Sequence, residues 1–246
     1  MQKISIIIPA HNEENRIGKT LETYSQYFQQ RTNNYEFVVV LNGCSDNTYQ
    51  VVHEKQKQFG SIVIIDLPEA GKGLAIKAGF ADALVRDNNL IGFVDANMAT
   101  EPRYFYDLIE HIGEYDGIIA SRYMPSSQLF PPRPAIKRWG SKIVYEPLIW
   151  LLFGMSYYDY QCGAKLFKRK VIEKIVPDLT VRQWAFDVEV LYLCKLAKFT
   201  IKEWPTLWYD RAGSKLKISS GFRMLGSLIK MRWHHTALYN FFYGTK

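Results

Sequence analysis

Residues 3–17 read KISIIIPAHNEENRI. From Lys3 to Ala10 the sequence, apolar from Ile4 onward except at Ser5, reads as a short buried strand, and the polar loop His11 to Asn15 leads into a helical pattern carrying Ile17, Leu21 and Tyr24. The same unit recurs. Glu36 to Leu41 (EFVVVL) is a second apolar strand, followed by the loop Asn42 to Asn47 and a helix from Thr48 to Phe59. Ile62 to Leu67 is a third, after which Gly71-Lys72-Gly73 opens a helix through Ala83 with small residues at Ala75, Ala78 and Gly79; Leu90 to Val94 is a fourth. Short apolar strands alternating with helices predict an α/β fold, a mainly parallel central sheet flanked by helices. The second half is less regular: a Pro-rich loop (Met124 to Pro134), a basic aromatic helix (Ile136 to Phe153), a polar turn (Asp159 to Gly163) and a helix from Phe186 to Ala197.

The chain has 246 residues, 48% of them hydrophobic, and no repeat, low-complexity tract or long linker divides it, so a single domain over 1–246 is expected. No unbroken apolar run reaches the ~18 residues of a spanning helix, and the N-terminus lacks the pattern of a signal peptide, so a protein facing the cytosol is expected. Cys44, Cys162 and Cys194 are odd in number and far apart, without zinc-site spacing, and read as small buried hydrophobes. The formal net charge of +7 points to acidic partners. Its excess gathers in the second half, at Lys137, Arg138, Lys142, Lys215, Lys217, Arg223, Lys230 and Arg232, among Trp, Tyr and Phe.

Ligands of such sheets bind beyond the carboxyl ends of the strands. Those ends carry Pro9-Ala10-His11-Asn12-Glu13, Asn42-Gly43-Cys44-Ser45-Asp46, Gly71-Lys72-Gly73 and Asp95-Ala96-Asn97. Asp95 and Asn97, at i and i+2 and roughly 6.6 Å apart along the strand, can offer two oxygens to one hard cation, Mg2+ or Mn2+, which would take the rest of its shell from a diphosphate; the alternative is a strand-end cap. Glu13 and Asp46 can accept from a base or ribose, and Asp46 equally suits an N-cap before Thr48. Gly71-Lys72-Gly73 is too short for a P-loop, which disfavours ATPase chemistry.

Taken in order, SIIIPAHNEENRI, LNGCSDNT, GKGLAIKAGF and GFVDANMAT resemble the IPxxNE, DDGSxDxT, GKGxAxxxG and DxD motifs of the inverting family-two glycosyltransferases of GT-A fold. ASRY (120 to 123), YDYQCGAKLF (158 to 167), WAFDVEVLYL (184 to 193) and GSKLKIS (213 to 219) extend the likeness to the polyprenyl-phosphate hexosyltransferase branch, most like the dolichyl-phosphate β-glucosyltransferases. The resemblance implies that Pro9, His11, Glu13, Asn42 and Asp46 line the base and ribose, that Lys72 lies near the nucleotide, and that Asp95 with Asn97 holds the metal. Asn42 stands where the family often has Asp, and Asn97 replaces the second Asp of DxD. Arg122, Arg138, Ser141 and Lys215 match positions that hold the acceptor phosphate. The implied division is a nucleotide-binding half (1–123), an acceptor-binding half (124–215) and C-terminal amphipathic, interfacial helices (216–246).

The implied reaction moves a hexose, with glucose from UDP-glucose favoured over mannose from GDP-mannose, to dolichyl or polyprenyl phosphate with inversion. A phosphate monoester has a second pKa of about 6 and reacts as a dianion, so no general base is needed. A hydroxyl acceptor would need one, for which Asp187 is the candidate. Asp159 and Asp187 suit sugar hydroxyls or the ordering of the cationic cradle, or simple capping, with Gln161 and Glu189 secondary. Basic residues beside bulky side chains in Ile136 to Phe153 and in Phe222 to Phe242 fit helices lying peripherally in a lipid interface, or equally amphipathic helices covering the sheet. The chain carries no recognisable nucleic-acid motif, and nucleic acid is not expected as a partner.

Overall fold

Successive side chains of a strand point to opposite faces, and here both faces are apolar. Ile6 and Ile8 of β1 (Ile4–Ala10) enter one core with Phe37, Val39 and Leu41 of β2 (Tyr35–Asn42), while Ile7 enters a second core with Val38 and Val40. Each such side chain contributes about 1.5–3 kcal/mol by burial, which is why the strands read as unbroken apolar runs. The computed structural model describes residues 2–131, 146–183, 185–209 and 219–236.

The first core is closed by Leu21, Tyr24 and Phe28 of α1 (Ile17–Gln29), by Val52 of α2 (Thr48–Gln58) and by Phe105 and Leu108 of α4 (Pro102–His111). The second is closed by α3 (Lys72–Val85), whose small residues have a steric reason: a Cβ at Gly79 would stand 2.6 Å from the Ile7 side chain. Strands β1, β2, β3 (Ile62–Leu67) and β4 (Leu90–Val94) pair in parallel.

The second half completes a seven-stranded sheet of order β3-β2-β1-β4-β7-β5-β8 with β5 (Gly117–Ser121), β7 (Ala164–Lys168) and β8 (Ile201–Pro205). β7 runs antiparallel between β4 and β5, which the sequence pattern did not reveal. Inside the expected loop Met124 to Pro134, Gln128–Phe130 forms β6, which pairs with β9 (Leu207–Tyr209). A third core joins α7 (Phe186–Leu196) to two helices beyond the sheet, α5 (Glu146–Phe153) and α8 (Ser219–His234), through Val188, Leu191, Ile149, Phe153, Leu228 and Met231. The expected helix over Ile136 to Phe153 is seen from Glu146 onward; residues 136–145 lie outside the described residues, as do 237–246. α6 (Arg169–Ile175) packs on the second core.

Candidate active site

The strand order reverses between β1 and β4: β2 and β3 lie on one side of β1, β4 on the other. In open α/β sheets the ligand crevice opens at such a point, beyond the carboxyl ends of the strands. Because β7 is antiparallel, its start lies beside the end of β4, with Ala164 opposite Val94. The turn Asp159 to Gly163 therefore reaches the same rim as Asp95, and β5 delivers Arg122 there directly after Ser121.

Beyond β1 and β2 the polar side chains are knitted to one another. Pro9 lies opposite Val40 in the β1–β2 register. Asn42 Nδ2 donates to the Ala10 carbonyl (2.8 Å) and its Oδ1 accepts from Gly71 N (3.0 Å), while His11 Nδ1 donates to the Asn42 carbonyl (2.7 Å). An amide does what a carboxylate here could not, donating and accepting at once. Asp46 accepts from Thr48 N (3.0 Å) and Thr48 Oγ1 (2.5 Å) and from Glu14 N (3.2 Å). Burial opposes its charge, but these hydrogen bonds prevail and lower its pKa. Glu13 holds Arg16 through two bonds, 2.6 and 2.8 Å, and its backbone N–H donates to Thr48 Oγ1 (2.8 Å). The N-cap of α2 is Asn47, with no side-chain cap; Asp46, one residue earlier, bonds the first helical N–H and joins the loops after β1 and β2.

The Gly71-Lys72-Gly73 turn differs from a phosphate-binding loop. The N–H groups of Gly73 and Leu74 both donate to the Arg182 carbonyl (3.0 and 3.3 Å), and Gly71 N is taken by Asn42. What the turn presents is the Lys72 side chain. Its Nζ lies 3.0 Å from Asp95 Oδ1 and 3.4 Å from Asp187 Oδ2, and Asp187 Oδ1 accepts at 2.7 Å from Lys165 Nζ. Lys165, on β7, is 0% exposed and also donates to the Cys162 carbonyl (2.7 Å). Two ammonium and two carboxylate groups form a compensated quartet. Burial alone would lower the Lys72 pKa, yet Asp187 and Asp95 outweigh it and raise it above the usual lysine range. Burial likewise opposes the Asp187 charge, and Lys165 and Lys72 lower its pKa below the usual carboxylate range. With both oxygens engaged, Asp187 is a poor general base.

Asp95 is fixed by its backbone, which donates to the Gly163 carbonyl (2.9 Å), and a Cβ at Gly163 would stand 2.0 Å from Asp95 Oδ2. Asn97 Oδ1 accepts from Ala99 N (3.0 Å), shaping the turn after β4 while keeping a second lone pair. Among the described residues no group of three or more His, Cys, Asp and Glu side chains is placed to hold a metal ion. A carboxylate with one amide oxygen nonetheless fits a hard divalent cation that draws the rest of its shell from phosphate and water.

At the other end Arg122 grips Asp159 through Nε (2.6 Å) and Nη2 (2.8 Å), its backbone N–H donates to the same carboxylate (3.0 Å), and its guanidinium lies 5.0 Å from the Trp208 ring centre. Burial works against the Asp159 charge, but Arg122 holds its pKa below the usual range. Arg122, Tyr123, Glu146, Tyr158, Asp159, Tyr160 and Gln161 line a small recess open to solvent. Burial pushes the nearby Cys162 thiol up to about 12, which removes it as a nucleophile. Arg138, Ser141 and Lys215 lie outside the described residues.

Residues 5–176 match the family described as "Glycosyl transferase family 2". The chain belongs to glycosyl transferase family 2. It is a glycosyltransferase of GT-A fold. A dolichyl-phosphate beta-glucosyltransferase of Drosophila melanogaster is 33% identical over 248 residues, covering 94% of this chain and 74% of the relative. The glycosyltransferase AglD of Haloferax volcanii is 29% identical over 238 residues, and there the chain spans only 37% of the relative's length. Among solved structures, glucosyl-3-phosphoglycerate synthase from Mycobacterium tuberculosis with Mn2+, UDP and glucosyl-3-phosphoglycerate superposes with a TM-score of 0.69 at 16% identity, over 94% of this chain and 79% of that one. The last comparison shows the shared fold.

Sequence reasoning missed Lys165 and Glu203, which accepts from Tyr158 N (2.9 Å) and Asp159 N (3.1 Å) and so supports the Arg122–Asp159 pair from beneath. A signal for Lys165 existed: a lysine inside the apolar run Ala164 to Phe167 must find a buried partner.

Proposed function

We propose that the protein transfers glucose from UDP-glucose to dolichyl phosphate or a related polyprenyl phosphate, with inversion, at the cytosolic face of a membrane that it binds peripherally. The observation that carries this reading is the Lys72–Asp95 pair at the strand switch point, on the rim that also holds Arg122. The named activity of the Drosophila relative supports glucose and dolichyl phosphate, and the UDP in the mycobacterial structure supports a uridine donor.

Asp95 and Asn97 would hold Mg2+ or Mn2+, which when bound supplies positive charge to the departing diphosphate. Lys72 adds a second cation on the same side. Pro9, His11, Glu13, Asn42 and Asp46 shape the base and ribose end. Arg122, kept rigid by Asp159 and Trp208, orients the acceptor phosphate, with Arg138, Ser141 and Lys215 assigned to the same cradle. The acceptor oxygen forms its bond to the anomeric carbon as the bond to UDP breaks; the dianion has no proton to lose. The engagement of Asp187 with two lysines favours this acceptor over an alcohol, and Asp187 serves by ordering the lysines. Residues 1–123 act as the nucleotide half, 124–215 as the acceptor half and 216–246 as the interfacial part.

Among the described residues no helix is long and apolar enough to cross a membrane. α5 and α8 nevertheless turn Trp150 (63%), Leu151 (73%), Ile229 (54%) and Trp233 (51%) outward, which supports seating in a lipid interface. The test is mass spectrometry of the glycolipid made from mixed UDP-glucose and GDP-mannose with dolichyl phosphate and Mn2+. A hexosyl lipid dependent on UDP-glucose is expected; a product made only from GDP-mannose, or no hexosyl lipid at all, overturns the assignment.

A further inference from the structure

The glycines flanking Lys72 are demanded by a neighbouring segment. A Cβ at Gly71 would stand 2.6 Å from the Arg182 carbonyl oxygen, and one at Gly73 2.3 Å from that of Val181. Residues 179–183 thus lie directly on the start of α3, where the Arg182 carbonyl takes the N–H groups of Gly73 and Leu74. Gln183 Nε2 donates to the Ala70 carbonyl (3.2 Å) and Lys77 Nζ to that of Leu179 (2.6 Å).

Glu189, in α7 and fully buried, holds this segment from behind. Its carboxylate accepts from Thr180 N (3.0 Å), Thr180 Oγ1 (2.6 Å) and Val181 N (2.8 Å). Its remaining partner comes from elsewhere: His235 Nε2, at 3.0 Å, one residue past the end of α8. An unbroken series of contacts therefore leads from α8 through His235, Glu189 and residues 180–182 to the turn that carries Lys72. A second tether, Arg232 Nε to the Leu152 carbonyl (2.7 Å), binds α8 to α5 without touching Glu189.

We propose that Glu189 is a positioning residue that links the seating of α8 to the placement of Lys72 beside Asp95. The catalytic value of the link rests on the proposed donor site, whereas the link itself does not. It gives the outward face of α8, with Ile229 and Trp233, a mechanical path to the donor end.

Amide hydrogen exchange of the full chain tests it. His235→Ala should speed exchange at Thr180, Val181, Gly73 and Leu74 about tenfold, because a hydrogen bond to a charged group is removed and local opening follows. β2 and β3 should be unaffected. His235→Gln, whose amide can still donate to Glu189, should restore protection, and Arg232→Ala should leave those four amides as in the parent. In parallel, the affinity for UDP with Mn2+ should fall in His235→Ala and recover in His235→Gln. Unchanged exchange at Gly73 and Leu74 in His235→Ala overturns the link, as does an equal effect from Arg232→Ala or a loss of protection spread over the whole sheet. Failure of UDP to bind any form, the parent included, overturns the donor reading instead and leaves the exchange result decisive for the link.

Discussion

Lys165→Met removes one charge from the buried quartet without changing much volume. Removing one member of a buried pair costs roughly 3–5 kcal/mol. Asp187 keeps Lys72 at 3.4 Å, which puts this case near the lower end, about 3 kcal/mol. At about 2–4 °C per kcal/mol for a domain of this size, the melting temperature should fall by about 6–12 °C. The pH dependence carries a sign. In the parent, Asp187 titrates below its ordinary value of 3.8, so its stabilising contribution is fully present above about pH 4 and is lost as pH falls through the depressed folded value. In Lys165→Met, burial is less well opposed and the carboxyl rises, so protonation relieves the buried charge earlier. The deficit of the variant should therefore shrink between pH 7 and pH 4. Urea unfolding across that range measures it. Replacing both partners (Lys165→Met with Asp187→Leu) should cost less than the sum of the single changes by about 1.5 kcal/mol or more. A single variant within about 0.5 kcal/mol of the parent at pH 7, or a deficit independent of pH, would mean that Lys165 does not hold the Asp187 charge.

Gly163→Ala should lower transfer about 100-fold, since the new methyl must push the Asp95 carboxylate aside and misplacement by about 1 Å has that effect; steady-state donor kinetics measures it. Gly79→Ala should destabilise by about 1–3 kcal/mol through overpacking against Ile7, with activity at low temperature retained, as chemical unfolding beside a rate assay will tell. Arg122→Lys keeps a charge but loses the two-pronged grip on Asp159; its acceptor KM should rise more than its donor KM.

The first half was legible because β1, β2 and β4 are buried on both faces and so print largely apolar runs, each followed by a polar loop. The second half was less so. β7 enters antiparallel between β4 and β5, and nothing local in Ala164 to Lys168 encodes the direction of a strand whose partners lie about 50 and 75 residues away. β6 has three residues and sits in a stretch whose composition says loop. Motif order singled out Lys72, Asp95, Arg122, Asp159 and Asp187, but not which of them pair with which. The pattern Gly71-Lys72-Gly73 does not tell what its glycines make room for, which is the carbonyls of Val181 and Arg182. Glu13 and Asp46 were legible as acids at strand ends, and their bonds to Arg16 and Thr48 are local, while those from Glu13 N to Thr48 and from Glu14 N to Asp46 depend on two loops meeting in space.

The most direct measurement is calorimetric titration of UDP with and without Mn2+ in the parent, Asp95→Asn and Lys72→Met. Tight binding only with Mn2+ in the parent, loss of that metal dependence in Asp95→Asn, and weakened binding in Lys72→Met are expected. UDP binding that is equally strong without metal and unchanged in both variants would contradict the proposed donor site.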